Sequence, residues 1–162
     1  MSRYFEAEPP VYTMLENVIG ERFPSLEGIH FKVLVDTKTK IDKLKGRVIF
    51  AYIKCANEVE KFLSQDGHNL NGIDYIVFMT DLVWKLASPA DKKRIISHEL
   101  RHCFMDEEGG CKLVKHDIED FYAEIEINQA DPMWAQSLSV VALAQFEQEK
   151  AEEKARKKVA RG

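Results

Sequence analysis

"RIISHELRHCFMDEEGGCKLVKHDIEDF", residues 94–121, holds three of the chain's five histidines, and its reading decides the fold. His98, Glu99 and His102 spell H-E-x-x-H. Just upstream, Ser88-Pro89-Ala90-Asp91 offers an N-cap, a proline at the first helical position and an acid three residues after the cap. The spacing predicts a helix from there to about Asp106, ended by Gly109 and Gly110, which tolerate the left-handed backbone of helix ends. On that helix His98 and His102 lie one turn apart on one face. Ile96, Leu100 and Cys103 fall on the roughly opposite face and are expected in the core.

Two imidazoles one turn apart suit a single zinc ion, with Zn–N near about 2.0–2.1 Å. Glu99 is rotated by about 100° from His98, which is awkward for a ligand but within reach of a water on the same metal. A catalytic zinc takes three protein ligands and leaves a fourth position for water. His116, which follows the Gly-Gly turn, is the favoured third ligand, with Glu119, Glu124 and Cys111 as alternatives. Asp120 or Asp117 is positioned to orient the His116 ring as a hydrogen-bond acceptor. The chemistry implied is peptide hydrolysis by a zinc-activated water, with Glu99 as general acid/base. Tyr122 and Arg101 are candidates to assist the oxyanion, although packing and solvated charge are the plainer roles for them. His30 and His68 have no comparable context: His30 reads as the start of a strand and His68 as part of a loop.

Working outward from this helix, "IDYIVFMT" (residues 73–80) reads as a strand leading through Asp81 into a short helix, and as an edge to which an extended peptide substrate would pair. "HFKVLVDT" (30–37) alternates Phe31, Val33 and Val35 inward, and "RVIFAYIKC" (47–55) is a longer, more buried strand. The basic stretch between them, "DTKTKIDKLKG", is expected to be a hairpin loop. "PPVYTMLENVIGERF" places Val11, Leu15, Val18, Ile19 and Phe23 at helical spacing, a helix over about 9–22 stopped near Pro24. Residues 55–72 are ambiguous, a short helix through Val59, Phe62 and Leu63 or a loop. A helix begins near His116 with Ile118, Phe121 and Ile125 on one face. Another begins at Asp131-Pro132 and runs through Trp134, Leu138, Val141 and Leu143 into the polar tail "EQEKAEEKARKKVARG". The fold class is α+β: a small antiparallel or mixed sheet of about three strands packed with an N-terminal helix, the H-E-x-x-H helix and C-terminal helices. Residues 1–146 are expected to form one domain and 147–162 a polar helical tail.

The chain has 162 residues, 45% hydrophobic and 31% charged, with a net charge of -4 and a pI near 5.8. This acidic balance gives no general reason to expect nucleic acid as the partner. In the tail, acids interleave with Lys154, Arg156, Lys157, Lys158 and Arg161, and no aromatic is present to stack on bases. No apolar run approaches the roughly 20 residues that cross a bilayer. The polar start, residues 1–10, has neither the basic nor the apolar part of a signal peptide, so a cytoplasmic location is expected. Three cysteines, Cys55, Cys103 and Cys111, argue against a disulfide framework.

The order strand, "HELRH", glycine turn, "KHDIEDF" resembles the phage metallopeptidase family, zincin-like domains similar in layout to SprT-like proteases. The resemblance covers roughly residues 28–128 and rests on His98-Glu99-x-x-His102 and His116-Asp117-x-x-Asp120-Phe121, with "DYIVFMTDLVWKL" similar to the family's strand-then-tryptophan segment. It implies a zincin-like fold, Zn2+ on His98, His102 and His116, Glu99 as the catalytic acid/base, a protein or peptide substrate, and a phage or prophage gene expressed in a bacterial cytoplasm. SprT-like relatives carry a separate zinc module or basic region for DNA, and since the chain has no C-x-x-C pair the zinc module is expected to be absent. Two other readings remain at this point. One is a non-catalytic zinc-stabilised binding domain, in which Glu99 would be incidental. The other is a DNA-associated protease using the tail and "KTKIDKLKGR".

Overall fold

Helix α1 (Pro9–Arg22) opens on Pro9 and Pro10, where a missing N–H costs nothing, and buries Val11, Leu15, Val18 and Ile19. Pro24 starts a short 3-10 turn, which stops the helix at the expected place. In this computed structural model, which describes residues 2–43, 46–116 and 122–160, α1 packs with α4 (Pro89–Arg101) against a mixed sheet. The sheet order is β1 (Tyr4–Glu6), β2 (Phe31–Asp36), β6 (Tyr75–Thr80) and β5 (Ala51–Cys55). β2 and β6 are parallel, while β1 and β5 run antiparallel to their neighbours. Val33, Val35, Val77 and Met79 point from the sheet into the core formed with Val11, Leu15, Ile96 and Leu100.

The four-stranded sheet is α+β as expected but differs in layout. Residues 37–50 do not form a hairpin between β2 and β5, because β6 lies between them. "YIVFMT" is the most continuously apolar strand and is buried on both faces, so it takes the interior position, and the chain from β2 must cross over it. The crossing segment carries its own two-stranded ladder, β3 (Ile41–Asp42) with β4 (Arg47–Val48). "RVIFAYIKC" is therefore two strands rather than one. β1 went unread because three half-exposed residues have too little pattern to mark a strand. The ambiguous segment contains α2 (Glu58–Leu63), held by a capping box between Asn57 and Glu60. Its expected inward residues Val59, Phe62 and Leu63 are instead exposed.

Ser88 caps α4 by accepting from the Asp91 N–H at 3.1 Å. The helix ends at Arg101, short of Asp106, because Cys103–Met105 (β7) pairs with Cys111–Leu113 (β8). Gly109, at φ +79°, turns this hairpin rather than capping a helix, and the Asp106 side chain accepts from the Glu108 and Gly110 N–H groups. The Tyr75 hydroxyl lies 2.8 Å from the Phe104 carbonyl and 3.0 Å from that of Lys112, pinning both hairpin strands to the interior of the sheet.

α3 (Asp81–Leu86) follows β6 directly. α5 is described over Tyr122–Ile127 and α6 over Trp134–Ala160. Trp134, Leu138 and Ala142 of α6 bury against Val83, Ala87, Ile95 and Val48 in a second core, while Val141 is exposed. Ile125 is exposed too; its expected companions Ile118 and Phe121 lie outside the described residues, as do Leu44, Lys45 and Arg161. Among the described residues, no helix is long and apolar enough to cross a membrane.

Candidate metal centre

The hairpin β7–β8 explains how three distant imidazoles meet. It reverses the chain directly after α4, and Val114 at its end closes back on His102. The Val114 N–H donates to the His102 carbonyl at 2.8 Å, and the His102 Nδ1 stands 2.6 Å from the Val114 carbonyl. That carbonyl can only accept, so Nδ1 carries the proton and Nε2 is the atom with a lone pair to offer a metal. Two residues on, His116 reaches over the helix with its Nε2 2.9 Å from the His98 Nε2. Ring centroids are 5.4 Å apart for His98–His102, 4.9 Å for His98–His116 and 4.6 Å for His102–His116.

A ligand atom from each of the three rings lies within 4.8 Å of the other two. Tetrahedral zinc with Zn–N near 2.0–2.1 Å sets its nitrogens roughly 3.3–3.4 Å apart, so small rotations of these rings suffice to share one ion. All three donors are imidazoles, a set suited to zinc and other borderline divalent metals. The residues present fit a metal, and among the described residues this is the one such group of His, Cys, Asp or Glu.

The other candidate ligands stand elsewhere. Glu124 is 2% exposed on the far side of α4, where Ser97 Oγ donates to it at 2.6 Å, Arg101 Nε lies 3.3 Å away and Arg22 Nη1 3.8 Å away. Cys111 lies near Asp74 and Lys61, its Sγ 3.8 Å and 4.0 Å from them. Glu119, Asp117 and Asp120 fall outside the described residues, as does the side chain of Tyr122. Arg101, considered for the oxyanion, is turned to Glu124 and stacks its guanidinium 4.9 Å from the Phe23 ring centre. Burial raises the thiols of Cys55, Cys103 and Cys111 above their ordinary value, which makes all three poor nucleophiles.

Glu99 is buried, 6% exposed, one residue along from His98. Burial pushes its carboxyl up to about 7, with the His98 charge opposing the rise. It opens onto a cavity of about 310 Å³ lined by Phe50, Ala51, Ile95, His98, Trp134 and Ala135 among others. Sequence reading missed these wall residues because β4, β5 and α6 meet only in the folded chain, and no local pattern marks them. It also placed the peptide-pairing edge on β6, which is interior. The edge is β5. Thr80 N–H donates to the Phe50 carbonyl and Ala56 N–H to the Asp74 carbonyl. By the alternation of an antiparallel ladder, the N–H and C=O groups of Ala51 and Ile53 then turn to the outer edge.

In comparisons with known proteins, the family described as "Putative phage metallopeptidase" matches residues 3–142. Neither the curated proteins nor the solved structures give a match.

Proposed function

Because this chain belongs to the phage metallopeptidase family, we propose that it is a zinc-dependent peptidase of zincin-like fold in which His98, His102 and His116 hold the metal. We further propose that residues 1–146 form the catalytic domain, that 147–162 are a polar tail, and that the enzyme works in the cytoplasm of a bacterium carrying the phage or prophage. The observation that carries the reading is the convergence of three imidazoles beside a buried glutamate on one helix.

Zinc, when bound, supplies a Lewis acid that polarises a carbonyl and lowers the pKa of water towards about 7. The remaining work falls to the chain. Glu99 accepts a proton from the attacking water as the new C–O bond forms, then delivers it to the amine nitrogen as the C–N bond breaks. Burial raises the Glu99 carboxyl and the charge of a bound dication would lower it, so its proton affinity during both transfers is set by the two together. His102 is held in the right tautomer by the Val114 carbonyl. The substrate backbone adds to β5 through the outward groups of Ala51 and Ile53, which lays an extended peptide across the front of α4.

The test is metal analysis of purified protein together with Glu99→Gln. About one zinc per chain is expected in both proteins, with hydrolysis of a denatured protein substrate lost in the variant by roughly a hundred- to ten-thousandfold. Zinc retention without hydrolysis in the wild type would instead assign the same histidines to a metal-stabilised binding domain.

A further inference from the structure

The cavity beside Glu99 continues into a second one. The inner chamber, about 310 Å³, is lined by Arg47, Phe50, Ala51, Ile95, Trp134 and Ala135 together with His98 and Glu99. The outer chamber, about 480 Å³, shares Arg47, Phe50 and Ala135 with it and runs on between β4 and α6 past Val48, Gln136, Ser139, Val140 and Leu143. Apart from Arg47 the inner walls are mainly apolar, and the space is large enough to take a bulky side chain. Continuity with Glu99 sets its use: whatever enters the inner chamber is next to the bond being cut.

Strand direction sets which side of that bond it is. β5 runs from Ala51 to Cys55, antiparallel to β6. A peptide that pairs with its outer edge in the antiparallel sense, the more stable per residue, runs the opposite way. Its C-terminal portion therefore points toward Ala51 and Phe50, where the inner chamber opens. We infer that this chamber is a specificity pocket for a large apolar side chain on the residue immediately C-terminal to the cleaved bond, and that the outer chamber takes the residues after it. The inference rests on the peptidase reading for the cleavage step, but the pocket itself can be tested without turnover.

The residue that should control the pocket is Ala135. It lies half-buried on the first turn of α6, lines both chambers, and a larger side chain there fills the inner one. The experiment has two arms. In the first, calorimetry measures how short product peptides beginning with Leu, Phe, Gly or Asp bind to zinc-loaded Glu99→Gln protein. Leu and Phe peptides should bind about ten- to a hundredfold more tightly than Gly, as burial of one apolar side chain implies. Adding Ala135→Phe should erase that advantage while leaving Gly-peptide binding in place, with Ala135→Leu as the milder change if the bulkier one fails to fold. In the second arm, wild-type enzyme is offered quenched peptides varied on each side of one bond. A preference for Leu or Phe after the bond supports the pocket. Equal binding of all four product peptides, or an advantage that survives both substitutions, overturns it. So does a preference confined to the residue before the bond. Selective binding with no cleavage of any peptide keeps the pocket and removes the peptidase reading. Cleavage with no side-chain preference does the reverse.

Discussion

Glu99 and Glu124 are buried against the same helix, 6% and 2% exposed, and they are treated in opposite ways. Glu124 is saturated with partners. Ser97 Oγ and Asn128 Nδ2 donate to it, and Arg101 and Arg22 stand beside it, so it ties α5 to the backs of α4 and α1. Glu99 has burial and the charge of His98 acting on it, and its carboxyl rises to about 7. A buried acid held by arginines, a serine and an asparagine is a structural fastener. A buried acid facing a cavity can exchange a proton near neutral pH. About 100° of rotation around the helix separates the two uses: Ser97 and Arg101 point back to Glu124, while His98 and His102, one residue further along each time, point forward to the metal centre.

Substitution of the two acids should therefore split cleanly, and the largest effect is on rate. Glu99→Gln should lower hydrolysis by roughly a hundred- to ten-thousandfold while changing the urea midpoint little. Glu124→Leu should instead cost stability. Removing one member of a fully buried ion pair costs about 3–5 kcal/mol. Arg22 and Arg101 keep 19% and 25% of their side chains exposed, so the expected loss here is smaller, about 2 kcal/mol by urea denaturation. If Glu99→Gln unfolds the chain and Glu124→Leu leaves it stable, the contrast is wrong.

Metal addition probes the front of the helix alone. Zinc at a hundred times its dissociation constant adds about 2.7 kcal/mol to folding. For a chain of this size that raises the melting temperature by about 5–10 °C, and a chelator reverses it. His116→Ala should abolish the rise, whereas a variant at Glu124 should retain it from a lower starting point. An equal rise in His116→Ala would place the ion elsewhere.

A third buried acid extends the contrast with a smaller effect. Asp36, 2% exposed, is held below its ordinary carboxylate value chiefly by the hydrogen-bonded Arg3 guanidinium. Its Oδ1 and Oδ2 accept from Arg3 Nε and Nη2 at 2.8 Å and 2.7 Å. A folded-state value below the unfolded one means that stability is present above about pH 4 and is lost as pH falls from there toward the folded value. Melting temperatures measured between pH 6 and pH 2.5 should fall in the wild type and fall less steeply in Asp36→Asn. Parallel curves would show that Arg3 does not set this linkage.

Much of this molecule was legible locally. α1 was bounded by its prolines and apolar spacing, α3 followed Asp81, and the start of α4 was written in Ser88-Pro89. These features depend on capping and periodicity, which a few neighbouring residues settle. The end of α4 was not legible. Gly109 and Gly110 suit a helix stop and a hairpin turn equally well, and the choice was made by the Tyr75 hydroxyl and by pairing of β7 with β8. Similarly, β6 looked like an edge because sheet order depends on which strand can be buried on both faces.

For the metal centre, spacing alone determined that His98 and His102 share a helical face and that His116 follows a turn. Tertiary structure decided that the turn is a hairpin closing on His102 through Val114, that Glu124 belongs to the opposite side of the helix, and that Phe50, Ala51, Trp134 and Ala135 wall the space beside Glu99. The physical reason is range. A helical face follows from the rise and rotation of consecutive residues, whereas a cavity wall is an agreement between segments up to 88 positions apart (from Arg47 to Ala135), reached only when their apolar surfaces are buried together.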